Sequence, residues 1–203
     1  VSVSQPVSRY VHALYGISTP VIPAFIDTEG LHVTPWSERR AHSALVYMKN
    51  PSTEHKIVLD MLRRRLQKTA PHIDLSNVIE GRGLSHNLFL EQLGSVRYLV
   101  NLSLAEGFGL VPLEAMAMGT VVTGVDGLSG RDYMRYGANA LTGSIHDLRR
   151  LPELVQHAFD NEALAASCAV AGQLTARHYG HAQFATAWLR ELERLLGRPP
   201  HHA

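Results

Sequence analysis

Apolar residues along this chain come in two spacings: short continuous runs, and stripes recurring every three or four positions. The runs Val21-Ile22, Leu45-Val46-Tyr47-Met48, Tyr98-Leu99-Val100-Asn101-Leu102 and Val121-Val122 through Val125 read as buried strands, over residues 20–23, 43–48, 98–102 and 120–125. A further short strand falls at residues 77–80. The stripes read as helices. Val7, Tyr10, Val11 and Leu14 share one face over residues 4–15, and Ser52 or Thr53 can cap a long helix ending near Thr69. Ser85 caps a helix reaching Leu93, with Leu88, Phe89 and Leu93 inward. From Ile145 onward the chain is helical, with one stripe of Leu151, Leu154, Val155, Ala158 and Phe159 and another of Phe184, Trp188, Leu192 and Leu195. His178-Tyr179-Gly180 divides the last two helices. Both stripes are read as packing surfaces.

Strands that are continuous apolar runs and alternate with helices predict an α/β fold, a parallel sheet with helices on both faces. In such sheets ligands bind beyond the carboxyl ends of the strands. The loops Lys49-Asn50-Pro51, Gly81-Arg82-Gly83, Ala105-Glu106-Gly107 and residues 126–132 all follow strands, so they belong on one rim.

Composition narrows the function classes. With 203 residues, 45% hydrophobic and 18% charged, the chain suits one well-packed domain, or one domain plus a helical appendage. A net charge of +1 gives no support for a nucleic-acid surface, and the triplet Arg63-Arg64-Arg65 reads mainly as a solvated helix face. No apolar stretch approaches the ~20 residues a membrane span needs. The single cysteine, Cys168, excludes an internal disulfide, reads as a small core residue and fits a reducing compartment. Twelve histidines form neither HExxH nor a Cys/His zinc spacing, so no metal is expected.

The chemistry concentrates in residues 104–120, LAEGFGLVPLEAMAMGT. Glu106 follows a strand. Gly107 and Gly109 permit turns and close approaches that a side chain would block. Pro112 fits a first helical turn, Glu114 lies near that helix's start, and Gly119 reads as its stop. A glycine loop, a helix start and two acids describe a place where a phosphorylated ligand meets exposed backbone N–H groups.

This stretch resembles the donor-binding signature of retaining glycosyltransferases of the GT-B fold, in particular glycosyltransferase family 4, written E-G-F-G-L-x-x-x-E-A-M-A-x-G. Glu106, Gly107, Phe108, Gly109, Leu110, Glu114, Ala115, Met116, Ala117 and Gly119 fall on it, ten positions in fourteen. The resemblance implies the Rossmann-like C-terminal half of a GT-B enzyme, a nucleoside-diphosphate sugar as donor, retention of configuration and no cofactor. It makes Glu106 the group at the donor sugar, Glu114 the ribose acceptor, and the amides of Gly107, Phe108, Gly109 and Leu110 contacts for sugar and diphosphate. Each has a plainer reading: Glu106 as a helix-capping acid, Glu114 as a dipole-favouring one, Phe108 as a core plug. Lys49 and Lys56 stand as the diphosphate clamp, although the family's Gly-Arg pair is missing and lysine lacks arginine's bidentate geometry. Lys49, with Glu106, is assigned to the catalytic set. Arg82 and Gly83 occupy the turn that reads the base, and Arg131 with Asp132 stands where the family carries G-G-x-x-E, Arg131 as a phosphate contact. No Asp-x-Asp, the metal-diphosphate motif of the other main glycosyltransferase fold, occurs.

The resemblance covers roughly residues 2–196, with a disordered tail expected over 197–203 and no counterpart of the N-terminal acceptor domain. V-I-P-A-F-I-D stands where the family reads V-I-P-N-G-V-D, keeping Asp27. Val1 in place of Met points to a trimmed or excised chain. The expected partners are a nucleotide-sugar, a glycan, lipid or small-molecule acceptor, and an N-terminal domain supplied in cis or in trans. A cytoplasmic location is expected, with peripheral association at the inner membrane face left open. The alternative from another class is a non-catalytic scaffold or regulatory subunit that keeps the fold.

Overall fold

The computed structural model describes residues 1–80 and 85–197. Five strands, β1 (Arg40–Tyr47), β2 (Asp74–Ile79), β3 (Val96–Asn101), β4 (Val121–Val125) and β5 (Leu141–Gly143), form one sheet in the order β2-β1-β3-β4-β5. Every pairing is parallel. Among the described residues seven α-helices accompany it: α1 (Gln5–Tyr15), α2 (Thr53–Thr69), α3 (His86–Ser95), α4 (Leu110–Ala117), α5 (Leu151–Asp160), α6 (Glu162–Ala176) and α7 (His181–Leu195).

The last four residues of β1, five of six in β3 and all five of β4 are buried because both faces of the sheet are covered there, while Arg40, His42 and Asp74 leave the starts of β1 and β2 exposed. Ala44, Val46, Tyr98, Val100, Val121 and Val125 join one core layer with Leu62 and Leu66 of α2, Val155 of α5 and Cys168 of α6. Leu45, Tyr47, Leu99 and Val122 point the other way, onto Leu93 of α3 and Leu113 and Met116 of α4. Cys168 is thus a buried core thiol, and burial raises its pKa.

Helix α4 is fixed at its C-terminal end by two devices. Gly119, at φ +70°, and Thr120 send their N–H groups back to Met116 (2.9 Å) and Ala115 (2.8 Å), a Schellman closure that only a left-handed residue permits. Beside it Arg39, 5% exposed, donates to the carbonyls of Met118 (2.6 Å) and Thr34 (2.6 and 2.8 Å) and to Thr120 Oγ1 (3.1 Å). Burial lowers the Arg39 pKa to about 10, so it remains a cation at neutral pH.

Several expectations are corrected. The strand at residues 20–23 is a single bridge, Ser2 to Val21, because Pro20 and Pro23 cannot donate to a ladder. Strand β5 carries too few residues to show a pattern, and the run before it ends in Asn139-Ala140. Leu88 faces solvent, although Leu93 of the same helix is fully buried. Residues 145–150 form a 3-10 turn broken at Asp147 before α5 begins. The apolar stripe of α7 packs only in part: Phe184 meets Phe25 with the rings tilted and their centres 4.8 Å apart, while Leu192 and Leu195 are exposed. The turn Gly81-Arg82-Gly83 and the tail beyond Gly197 lie outside the described residues.

Candidate functional site

The parallel sheet sends the loops after β1, β3 and β4 to one rim, and hydrogen bonds tie them together there. The Lys49 N–H donates to Ser103 Oγ at 3.0 Å, joining the first two. The Glu106 N–H donates to the Gly127 carbonyl at 3.0 Å, joining the last two. Asn101, buried at the end of β3, donates to the Val125 carbonyl at 2.8 Å and accepts from the Ser103 N–H at 3.3 Å. The rim is therefore stitched below the level at which a ligand would sit.

Above it lies a cleft of about 480 Å³, whose walls include Tyr47, Lys49, His86, Glu106, Leu110 and Glu114. The Glu106 side chain is 5% exposed and forms an ion pair with Lys49, Nζ to Oε2 at 3.1 Å, while the lysine itself is half exposed. Glu114 is placed by the first turns of α4 with its side chain 14% exposed, and His86 Nε2 stands 3.9 Å away. Burial raises the Glu114 pKa, and His86 opposes that shift. Two carboxylates thus face one cavity with different companions, a lysine for one and a histidine for the other.

The glycine loop shapes the cleft's third side. Gly109 caps α4 at φ +90°, and its carbonyl accepts a hydrogen bond from the Tyr133 hydroxyl at 2.5 Å. A Cβ on Gly109 would lie 3.0 Å from that hydroxyl. The N–H groups of Leu110 and Val111 have no acceptor within the helix, Pro112 has none to satisfy, and Leu110 and Val111 line the cleft. The positive end of α4 is presented to whatever enters. Phe108 turns its ring between Tyr133 (5.4 Å) and Tyr179 (5.6 Å) and is 5% exposed, so its side chain plugs the core while its backbone lines the wall.

The structure thus brings together Lys49, Glu106, Gly107, Phe108, Gly109, Leu110 and Glu114. It does not bring in Lys56, which is exposed on the first turn of α2 and is absent from the cleft lining. Nor does it bring in Arg131, whose guanidinium is held by Asp126 (2.7 Å) and Ser144 (3.0 Å). Asp132 accepts from the Gln5 N–H at 2.7 Å and so caps α1. Arg82 and Gly83 are among the residues not described. A second cleft of about 520 Å³, along β5, is lined by Tyr136, Asp147, Arg150 and His157 and by none of the candidates.

Four participants carried no local signal. Tyr47 looked like one more apolar strand residue, and His86 like an ordinary first-turn position. Tyr133 and Ser4 reach the site from far along the chain. The Ser4 hydroxyl donates to the Gly107 carbonyl at 2.7 Å, lies 3.1 Å from Ser129 Oγ and accepts from the Val7 N–H at 3.3 Å. Among the described residues no group of His, Cys, Asp or Glu side chains has the arrangement of a metal site.

No protein-family profile matches the sequence, and no curated protein matches it either. Solved structures do. A variant of S. aureus TarM, in complex with fondaparinux, α-GlcNAc-glycerol and UDP, superposes with a TM-score of 0.76 at 14% identity, over 93% of this chain and 42% of that one. Sucrose-phosphate synthase from Thermosynechococcus elongatus gives 0.72 at 17% identity, over 97% and 58%. The C-terminal domain of the group 1 glycosyl transferase LpcC from Francisella tularensis gives 0.63 at 13% identity, over 77% of this chain and 99% of that domain. This chain spans less than two thirds of the first two proteins, 42% and 58%, yet 77% of it matches 99% of an isolated C-terminal domain. Its architecture, a five-stranded parallel sheet between helices, is that of the C-terminal, Rossmann-like half of GT-B glycosyltransferases.

Proposed function

We propose that this chain is the donor-binding half of a retaining glycosyltransferase of the family 4 type, taking a sugar from a nucleoside diphosphate to a glycan, lipid or small-molecule acceptor. The observation that carries the reading is the convergence of Glu106 and Glu114 on one cleft, with Lys49 and the positive end of α4 beside them. The UDP held by TarM is consistent with a nucleoside-diphosphate ligand. An acceptor-binding N-terminal domain, in cis or in trans, would supply the opposite wall.

On this reading each group has a separable task. Glu114 accepts hydrogen bonds from the ribose hydroxyls, which a carboxylate can do in pairs. Glu106 accepts from hydroxyls of the sugar. As the bond from the anomeric carbon to phosphate oxygen breaks, negative charge grows on the diphosphate, and Lys49 with the amides of the α4 turn stabilises it. The acceptor oxygen bonds to the anomeric carbon on the face the phosphate leaves, and its proton passes to the departing phosphate oxygen. No divalent ion is needed for this neutralisation. Transfer requires both reactants to be held together, so the chain alone is expected to bind donor without appreciable turnover.

Calorimetric titration with UDP, ADP and GDP, with and without EDTA, tests the reading. One diphosphate should bind, and chelation should leave its affinity unchanged. Glu114→Ala should weaken it on the order of tenfold to a hundredfold, the loss of a charge-assisted hydrogen bond. Glu106→Ala should leave the diphosphate alone and abolish the extra affinity of the sugar-bearing form. Absence of binding to all three diphosphates would remove the proposal, and equal affinities in parent and both variants would remove the residue assignments.

A further inference from the structure

Tyr47 closes β1 at the floor of the cleft, 4% exposed, with its ring packed in the core layer beneath α3 and α4. Its hydroxyl has no hydrogen-bond partner among the described residues. It is not sealed off either: no buried side-chain nitrogen or oxygen among those residues lacks a partner, so an unpartnered hydroxyl at this position opens on the cleft. Burial first, then the charges of Glu106 and Glu114, raise its pKa above that of an ordinary phenol. The group therefore stays an O–H donor throughout the neutral range, within electrostatic reach of both carboxylates.

We propose that the Tyr47 hydroxyl binds the donor directly, giving its hydrogen bond to a non-bridging oxygen of the diphosphate. This rests on the functional reading above. If Glu114 holds the ribose and Glu106 the sugar, what joins those two parts of the ligand is the diphosphate, and Tyr47 lines the same cleft as both carboxylates. The chemistry agrees. Carboxylates and phosphate oxygens only accept hydrogen bonds, so a diphosphate laid between Glu106 and Glu114 meets two like charges and needs donors. Lys49 is one, but it is already paired with Glu106. A buried neutral phenol supplies a second, to a charged acceptor and in a low-dielectric wall where such a bond is strong. It does so from a strand end, where packing on the ring holds the oxygen in place.

The test is Tyr47→Phe in the full chain, which keeps the ring and deletes only the oxygen. Affinities for UDP, ADP and GDP are measured by calorimetry, and those for the matching nucleosides and the sugar-bearing donor by competition. The expected result is a loss of about tenfold for the preferred diphosphate, an equal loss for its sugar-bearing form and unchanged nucleoside affinity. The melting temperature should stay at or above the parent's, since no internal hydrogen bond is lost. Unchanged diphosphate affinity overturns the assignment. So does an equal loss for nucleoside and diphosphate, which would mark a packing role, or a loss confined to the sugar-bearing donor. A large drop in melting temperature would show an internal partner and overturn it as well. If the parent binds none of the diphosphates, the functional reading fails first and this inference falls with it.

Discussion

Helices α4 and α1 are opposites in how they are held. Helix α4 has eight residues and buries five of them, Pro112, Leu113, Ala115, Met116 and Ala117. Helix α1 has eleven residues, a clear apolar stripe, and buries none. Tyr10, Leu14 and Tyr15 stand more than half exposed. What secures α1 is its first turn, where Ser4 reaches the Gly107 carbonyl and Asp132 receives the Gln5 N–H. One helix is fixed by its sides and the other by its end. An apolar stripe therefore identifies a helix without saying whether anything covers it.

The contrast can be broken most sharply at Leu113, fully buried in the core layer under α4. Leu113→Ala should cost about 2–5 kcal/mol, read as a shift of the urea midpoint. A variant as stable as the parent would mean that α4 is not held by packing.

Ser4→Ala tests the other mode. Losing an N-cap costs about 1 kcal/mol, and the same hydroxyl also steadies the glycine loop at Gly107. Stability should fall by roughly that amount, and affinity for the preferred nucleoside diphosphate should fall with it. A stability loss without any change in ligand affinity would separate α1 from the site. The smallest effect belongs to Leu14, 55% exposed on α1. Leu14→Ala should change stability by less than about 0.5 kcal/mol in the same urea titration. A larger loss would show that the stripe is covered in solution.

The same contrast explains how much was legible in the sequence. The parallel sheet followed from β1, β3 and β4, whose runs are apolar on both faces and long enough to display it. The common rim followed from the order of strands and loops, and the end of α4 from Gly119, since a left-handed closure has a local composition. Strand β5 was lost because three residues between loops carry no periodicity. Residues 20–23 misled because two apolar residues flanked by prolines look like a strand until the missing N–H groups are counted. At the site, Glu106, Glu114 and Lys49 stood out by residue type and place. Tyr47, Ser4 and Tyr133 did not, because each enters through a tertiary contact that residue type alone does not announce. Lys56 and Arg131 illustrate the converse: cations suited to phosphate by charge alone, one left on a helix surface and the other taken by Asp126.

Arg39 changes the electrostatics of α4 as well as its anchoring. An α-helix carries roughly half an elementary charge of each sign at its two ends, and at a distance the two ends largely offset one another. Here the guanidinium lies 2.6 Å from the Met118 carbonyl, at the negative end, and more than neutralises it. The far end of α4, about 12 Å away for eight residues, is left without its opposing pole. Toward the cleft the backbone pole at Leu110 is then less offset by its opposite, and that partial positive charge stands beside the carboxylate of Glu114 on the same helix. A phosphate seated against the Leu110 and Val111 amides is then favoured more than by an uncompensated helix, through a side chain that never touches it.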